Sequence, residues 1–287
     1  MPSANVHNCY KLAKRLGVPH ADATTLLAAA LHRDTIAIVA YPELQLTRSQ
    51  LVQFVWHCWQ YRRGKPMAYL LGERIFCDRN FLVTSRVLIP RPGTEFLVEQ
   101  GLTFCNAAPT GTPIIDIGTG SGNIIISIAA TVGTAVPCYG IDASRAALLV
   151  AKKNARRHTV PSVTWLFGDL IAPLRGTAAD KADGLILLAN LPYLPKYDYV
   201  NAPKSVRRFE PRRALVAGHD GLYYYRRLVA MLAKRNVSSP QRLWACWEAD
   251  ACNTGALARL IVRTFPTATV NVKRDAEGYK RYVIFTV

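Results

Sequence analysis

Four short stretches of this chain combine side-chain types and spacings that chemistry needs. The first is Asp116-Ile117-Gly118-Thr119-Gly120-Ser121-Gly122. Glycines let a backbone turn tightly and lie against a ligand where a Cβ would collide. The N–H groups at the start of a following helix favour a carboxylate or phosphate. Dinucleotide-binding turns look similar, so this stretch alone leaves the ligand open. The second and third are Asp142 in Tyr139-Gly140-Ile141-Asp142 and Asp169 in Phe167-Gly168-Asp169-Leu170. The fourth is Asn190-Leu191-Pro192-Tyr193. An asparagine side chain holds an acceptor and two donors, so it can grip an amide or an exocyclic amine by its N–H. The Leu191 carbonyl can accept a second N–H, and Tyr193 offers a ring face to a planar group. Asn-x-Pro also suits a plain turn after a strand.

These residues need a frame. From about residue 112, strand-like and helix-like runs alternate: PIIDIG, then SGNIIISIAATV, PCYGID, SRAALLVAKKNARRH, SVTWLFGD and GLILLAN. The helix DGLYYYRRLVAMLAKRN, the strand RLWACWE, the helix CNTGALARLIVRTF and the strands TATVNVKR and KRYVIFTV follow. Such alternation predicts an α/β domain with a parallel, doubly wound sheet. Ligands of these sheets bind beyond the carboxyl ends of the strands. All four stretches fall at strand ends. Asp116 can meet an ammonium there, directly or through water. Asp142 can accept from both hydroxyls of a ribose, and Asp169 from an adenine amino group. Each acid taken singly could instead cap a helix or a turn. Together with the glycine turn they fit S-adenosyl-L-methionine better than a nicotinamide cofactor, which gives no reason for Asn190-Leu191-Pro192-Tyr193.

Upstream the pattern differs. Residues from about 5 to 70 read as helical, with Leu12, Leu16, Leu26, Leu27, Ala30 and Leu31 at helical spacing and a second run of Leu51, Phe54, Val55, Cys58 and Trp59. Two β-prone runs flank Asp78-Arg79-Asn80 and predict a hairpin, which Pro90 and Pro92 end before TEFLVEQGLTF starts a helix. The division is thus 1–74 helical, 75–92 a β-hairpin connector, and 93–287 the α/β domain.

Composition narrows the function classes. The 287 residues carry a net charge of +17, which points to a polyanionic partner such as RNA, the ribosome or a ribosome-bound factor. Cys9, Cys58, Cys77, Cys105, Cys138, Cys246 and Cys252 are scattered and never spaced C-x-x-C, which argues against a disulfide framework or a zinc site and for a cytoplasmic protein. His57, His158 and His219 read as surface or capping residues, and no metal is expected. The opening MPSANVHNCYKLAKRLGV has no apolar signal core. The apolar stretch 124–136 is interrupted by Ser127, Thr131, Gly133 and Thr134 and falls short of the roughly 20 residues of a membrane span.

The tetrad resembles the N-P-P-Y motif of methyltransferases acting on planar nitrogens. More specifically, the chain resembles the HemK/PrmC family of peptide chain release factor glutamine methyltransferases. The matching segments are GKPMAYLLGERIF, VLIPRPGTEFLVE, DIGTGSG, YGIDAS, FGDL, NLPY and RFEPRRALVAGHDGL, in the family's order over nearly the whole chain. The resemblance implies a helical bundle that recognises the release factor, a β-hairpin connector and a seven-stranded Rossmann-like methyltransferase domain. It implies that Gly118, Thr119, Gly120, Ser121, Gly122, Asp142, Asp169, Leu170 and Asn190 hold the cofactor. It implies that Asn190, Leu191, Pro192 and Tyr193 clamp the glutamine of a Gly-Gly-Gln loop. Leu191 stands where the family has proline; it keeps the carbonyl, adds an N–H and frees φ. Gly93 stands where R-P-[DE]-T-E has an acid, and Glu248 is kept after the fifth strand without the glycine and glutamine usual beyond it.

The expected reaction is methyl transfer from the sulfonium to an amide nitrogen, for which positioning can supply roughly 7–11 kcal/mol. Alternatives are a ribosomal-protein glutamine or a nucleic-acid adenine as acceptor, or a non-catalytic RNA- or ribosome-binding protein on the same scaffold. The basic stretch Lys204, Arg207, Arg208, Arg212 and Arg213 follows the tetrad closely and is expected near the substrate entrance. Asp142→Ala should weaken cofactor binding while the fold survives, since hydrogen bonds to a charged acceptor contribute roughly 1.5–3 kcal/mol each. Unchanged affinity by calorimetry in a folded variant would remove Asp142 from the ribose site.

Overall fold

The computed structural model describes residues 5–238 and 242–287, so the first four residues of the predicted helical region lie outside it. The chain falls into two compact units, Met1–Glu73 with Pro203–Phe209, and Arg74–Ala202 with Glu210–Val287.

The first unit is helical: α1 (Val6–Arg15), α2 (His20–Leu31), α3 (Thr35–Ala40), α4 (Arg48–Arg62) and α5 (Met67–Leu71). Side chains start three of these helices. Asn5 accepts from the Asn8 N–H at 2.9 Å, Asp34 from the Ala37 N–H at 2.6 Å, and Thr47 and Gln50 form a reciprocal capping box on α4. Leu26, Leu27, Ala30, Phe54 and Cys58 turn inward and are fully buried. Trp59 extends the apolar run but faces out: its ring stacks on Trp56 with centroids 4.9 Å apart, and Arg63 covers it at 4.4 Å.

The hairpin is β1 (Glu73–Phe76) and β2 (Arg79–Leu82). Its turn lies at Cys77-Asp78, one position earlier than the composition suggests. Both residues have positive φ, 45° and 56°, as a two-residue type I′ turn demands. The Glu95 carboxylate accepts the Cys77 N–H at 3.0 Å and secures that turn.

The remaining elements are α6 (Glu95–Ala107), β3 (Ile114–Ile117), α7 (Asn123–Val132), β4 (Cys138–Asp142), α8 (Arg145–Arg157), β5 (Val163–Phe167), β6 (Gly184–Ala189), α9 (Lys196–Asn201), α10 (Lys204–Phe209), α11 (Tyr223–Ser238), β7 (Arg242–Glu248), α12 (Thr254–Thr264), β8 (Thr269–Arg274) and β9 (Lys280–Thr286). Among them α10 belongs to the helical unit. Seven strands form one sheet in the order β5-β4-β3-β6-β7-β9-β8. β3 to β7 pair in parallel, and their central members are buried along their whole length because helices cover both faces. Ile115, Ile117, Leu185 and Leu187 pack with Leu228, Leu232, Leu257 and Ile261 of α11 and α12. Ile114, Ile186 and Leu188 pack on the other face with Leu97, Phe104, Ile125 and Ile128 of α6 and α7.

One expectation is corrected. The sheet is mixed, with β9 running antiparallel between β7 and β8. Only residues 275–279 join β8 to β9. A connection that short makes a hairpin, whereas a parallel return needs a crossover of about a dozen residues.

Asn154 of α8, wholly buried, ties the hairpin to the glycine turn. Its Nδ2 donates to the Leu82 carbonyl at 3.0 Å and the Ser121 carbonyl at 2.8 Å, and its Oδ1 accepts the Leu82 N–H at 2.7 Å. Asn154→Ala leaves these backbone groups without their partner. Urea denaturation should register a loss of at least about 2 kcal/mol; a midpoint unchanged from the parent would refute this role.

Candidate active site

The chain runs from β3 to β4 on one side and β6 lies on the other, so the strand order reverses beside β3. In open α/β sheets that point leaves a crevice beyond the strand ends. The cleft found there is lined by residues 117–121, Asp142, Ser144, Asp169, Leu170 and Asn190 to Pro192, with Pro90, Arg91 and Thr94 from the segment before α6.

The glycine turn is held from below. The N–H groups of Gly118 and Thr119 both donate to the Ile141 carbonyl, at 2.8 and 2.9 Å. Gly118 has a φ of 77°, and a Cβ there would meet a Leu191 methyl at 3.0 Å, so this position is closed to larger residues in both conformation and space. Asp116 is fully buried. Its Oδ2 accepts from the Thr119 hydroxyl at 2.6 Å, and its Oδ1 has no hydrogen-bond partner among the described residues. Burial pushes its carboxyl up to about 7, opposed by the Thr119 bond and an N–H from Ile125.

Asp142 has two attachments. Its Oδ2 accepts the Gly120 N–H at 2.9 Å and its Oδ1 the Ser144 N–H at 2.7 Å. It is not the cap of α8, a role that Ser144 takes by accepting the Ala147 N–H at 3.2 Å. A carboxylate has about four lone-pair positions, so both oxygens keep capacity toward the cleft. Burial raises its pKa, opposed by these N–H groups and by the charge of Arg213. Asp169 lines the cleft too, but both its oxygens face the guanidinium of Arg227 on α11. Sequence inspection had no means of finding that partner. Leu170 beside it adopts a φ of 48°, rare for a side chain of its size.

The tetrad is built around a buried carboxylate. Glu248, at the end of β7, accepts on Oε2 from the Thr94 hydroxyl at 2.7 Å and from the Asn190 Nδ2 at 3.0 Å. Its Oε1 accepts from the Tyr193 hydroxyl at 3.3 Å. Asn190 Nδ2 also donates to Thr94 Oγ1 at 2.9 Å. A carboxylate only accepts, so the asparagine must turn its NH2 to it and leave Oδ1 on the opposite side. Burial raises the pKa of Glu248, while the Thr94 bond and the charge of Arg281 oppose it. The N–H that Leu191 adds has a partner as well: it donates to the Tyr225 hydroxyl at 3.3 Å, and that hydroxyl donates onward to the Glu248 carbonyl. Leu191 is therefore buried and anchored rather than a loose replacement for proline.

This geometry has relatives. The profile of the PrmC N-terminal domain matches residues 10–72, and a methyltransferase domain profile matches residues 109–207. A release factor glutamine methyltransferase of Bacillus cereus is 34% identical over 83% of this chain and 82% of its own. The chain belongs to the release factor glutamine methyltransferase family. Members named likewise from Nitratidesulfovibrio vulgaris and Moorella thermoacetica are 30% and 40% identical, covering 94% and 74% of this chain and 89% and 72% of theirs. Among solved structures, the hMettl16 catalytic domain in complex with MAT2A 3'UTR hairpin 6 superposes with a TM-score of 0.51 over 79% of this chain and 91% of that one. At 17% identity that likeness concerns the fold alone.

Two of the segments that carry the family resemblance meet in space. Arg91 of R-P-G-T-E forms an ion pair with Glu210 of R-F-E-P at 2.5 Å, and Glu210 also accepts the Ile89 N–H at 3.3 Å. Thr94 of the first segment reaches Glu248. Thr94 and Tyr225 border the tetrad and are missed by inspection of its sequence, whereas Glu248 is singled out there as the acid after the fifth strand. The available signals were the family match at 91–95 and the acid ending the fifth parallel strand; Tyr225 carries none. The basic stretch divides: Lys204, Arg207 and Arg208 fall in the helical unit, whereas Arg213 lines the cleft.

Asp116 generates a pH prediction for the unliganded protein. Its pKa is raised in the folded state to about 7, from 3.8. The native state therefore holds a proton that the unfolded chain releases, and stability falls as pH rises from about 4 to 7. Asp116→Asn removes that loss. The variant should melt above the parent at pH 8, with the gap closing toward pH 4. Identical pH dependence in both proteins would contradict the assignment.

Proposed function

We propose that this protein transfers a methyl group from S-adenosylmethionine to the side-chain amide nitrogen of the glutamine in the Gly-Gly-Gln motif of peptide chain release factors. The observation that carries the reading is the fixed direction of Asn190, whose NH2 is spent on Thr94 and Glu248. Its Oδ1 is left as the acceptor for a substrate N–H.

The cleft suits the cofactor. Asp116 is buried and does not itself line the cleft, but its oxygen without a partner among the described residues would suit an ammonium reached through water. Asp142 has spare lone pairs for the ribose hydroxyls, and Gly118 to Gly122 leave room for close approach of the methionine part. Asp169 and Leu170 lie where the adenine would rest, with Arg227 orienting the Asp169 carboxylate. When bound, S-adenosylmethionine supplies an electrophilic methyl group on a sulfonium.

The chain's own residues do the rest by positioning. An amide nitrogen is a weak nucleophile because its lone pair is delocalised into the carbonyl. Asn190 Oδ1 accepts one of its N–H groups and the Leu191 carbonyl the other, which aims the nitrogen along one direction. Both acceptors also favour positive charge growing on that nitrogen, without reorganising during the reaction. Tyr193, held by its hydroxyl on Glu248, presents its ring to the flat face of the amide. The nitrogen would take the methyl group as the methyl–sulfur bond breaks, with the electron pair staying on sulfur in a neutral thioether, and would lose a proton to solvent. The helical region, 1–74, serves to recognise the release factor, and the net charge of +17 favours RNA or a ribosome beside it.

Labelled cofactor with purified release factor, followed by mass spectrometry of the Gly-Gly-Gln peptide, tests the reading directly. Asn190→Ala should keep cofactor binding within a few-fold and lower methyl transfer by roughly 10²-fold or more, as misplacement by about 1 Å does. Asn190→Asp should be as poor, because it loses the donor that faces Glu248. Leu191→Pro should retain turnover at a stability cost of about 1–2 kcal/mol, from the lost Tyr225 bond and the smaller buried side chain. Full activity in Asn190→Ala would reduce the tetrad to a turn.

A further inference from the structure

A second cavity lies beside the cofactor cleft, and the two share Arg213 and Tyr224 in their walls. Lys196, Arg212 and Tyr223 complete its polar lining, and no carboxylate lies among the described residues that form it. All three cations are exposed. The site is held by backbone rather than by loose side chains. The Leu194 N–H donates to the Leu215 carbonyl, the Ala217 N–H to the Leu194 carbonyl, and the Lys196 N–H to the Gly218 carbonyl, at 2.9, 2.9 and 3.0 Å. Lys196 and the Arg212-Arg213 turn are thereby set side by side. Two nearby acids are already matched, Asp220 with Arg226 and Asp169 with Arg227. Arg213 also acts on Asp142 in the adjoining cleft.

Aromatic rings are interleaved with this charge. Tyr223 is 49% exposed, meets Tyr224 edge-on with centroids 5.1 Å apart and carries the Arg227 guanidinium over its ring at 5.4 Å, so a base would share this ring with that cation. The Arg212 guanidinium lies over the Tyr199 ring at 5.6 Å.

We propose that this cavity is a subsite for single-stranded RNA, with phosphates on Lys196, Arg212 and Arg213 and a base against Tyr223. Cations beside ring faces are the combination that binds single strands without sequence readout. An acidic peptide would use the cations but has no need of the rings, and a chain of net charge +17 is suited to a polyanion. This deepens the RNA contact in the proposed function, and its test reads binding alone, so that failure here and failure of methyl transfer are distinguishable.

The experiment is fluorescence anisotropy of the full chain with a labelled uridine 12-mer RNA and, in parallel, a polyglutamate peptide of the same length, across a salt series. Variants are Lys196→Glu with Arg212→Glu, and Tyr223→Ala. The charge variant should bind the RNA at least about tenfold more weakly, with the slope of log K against log salt reduced by about 1.4 for two lost phosphate contacts. Tyr223→Ala should weaken RNA binding by about tenfold at unchanged slope, as loss of one stacked base does. RNA binding equal to the parent in both variants would overturn the subsite. Polyglutamate bound as tightly as RNA, and insensitive to Tyr223→Ala, would also overturn it in favour of an acidic protein partner. Methylation of an isolated Gly-Gly-Gln peptide should persist in both variants. Its absence in the parent protein would strike the proposed function while leaving the RNA result standing.

Discussion

The site depends on one buried carboxylate. Glu248 sits where water is excluded, and a charge there is tolerated only because donors surround it: Thr94, Asn190 and Tyr193. Those three come from the segment before α6 and from the end of β6, parts of the chain far apart in sequence. An acceptor-only group removes the ambiguity of the asparagine amide. It forces the NH2 inward and the carbonyl oxygen outward, and thus decides what the site can grip. A glutamine or an aspartate at position 248 would alter that outcome without touching a substrate atom.

The same logic runs through the supports. Asp142 uses its two oxygens on Gly120 and Ser144 and so fixes both the glycine turn and the entry to α8. Asn154 carries the coupling on to the hairpin through Leu82 and Ser121. Arg91 and Glu210 join two of the segments that carry the family resemblance. Preorganisation is what methyl transfer to a poor nucleophile requires. These polar bridges supply it at the ends of buried strands, whose apolar sides leave them no freedom to shift.

Charge follows a different pattern. The cleft at the strand ends is lined by the carboxylates Asp142 and Asp169, of which only Asp169 has an ion-pair partner close by among the described residues, while Asp116 is fully buried and does not line it. The neighbouring cavity gathers cations, with no acid among the described residues of its lining. Arg213 stands in the walls of both, and its charge steadies the ionised form of Asp142.

Much was legible in the sequence because it is written in local terms. Glycines at 118, 120 and 122, acids at three successive strand ends, and asparagine followed two positions later by proline are patterns of spacing. Strand–helix alternation is a pattern of period. Parallel strands that end together gather such residues at one edge whatever their distance along the chain. What the sequence could not state were partners and directions. The short connection from β8 marks β9 as antiparallel to it; that β9 also pairs with β7 is not written locally. Nothing in Trp59 distinguishes it from Cys58 until α4 packs and leaves the indole outside. The link of Glu248 to Asn190, of Arg227 to Asp169 and of Tyr225 to Leu191 each spans dozens of residues. Residue types in a sequence limit which hydrogen bonds are possible. Where the groups are buried, as at Glu248 and Tyr225, the cost of an unpaired polar group selects the ones that form.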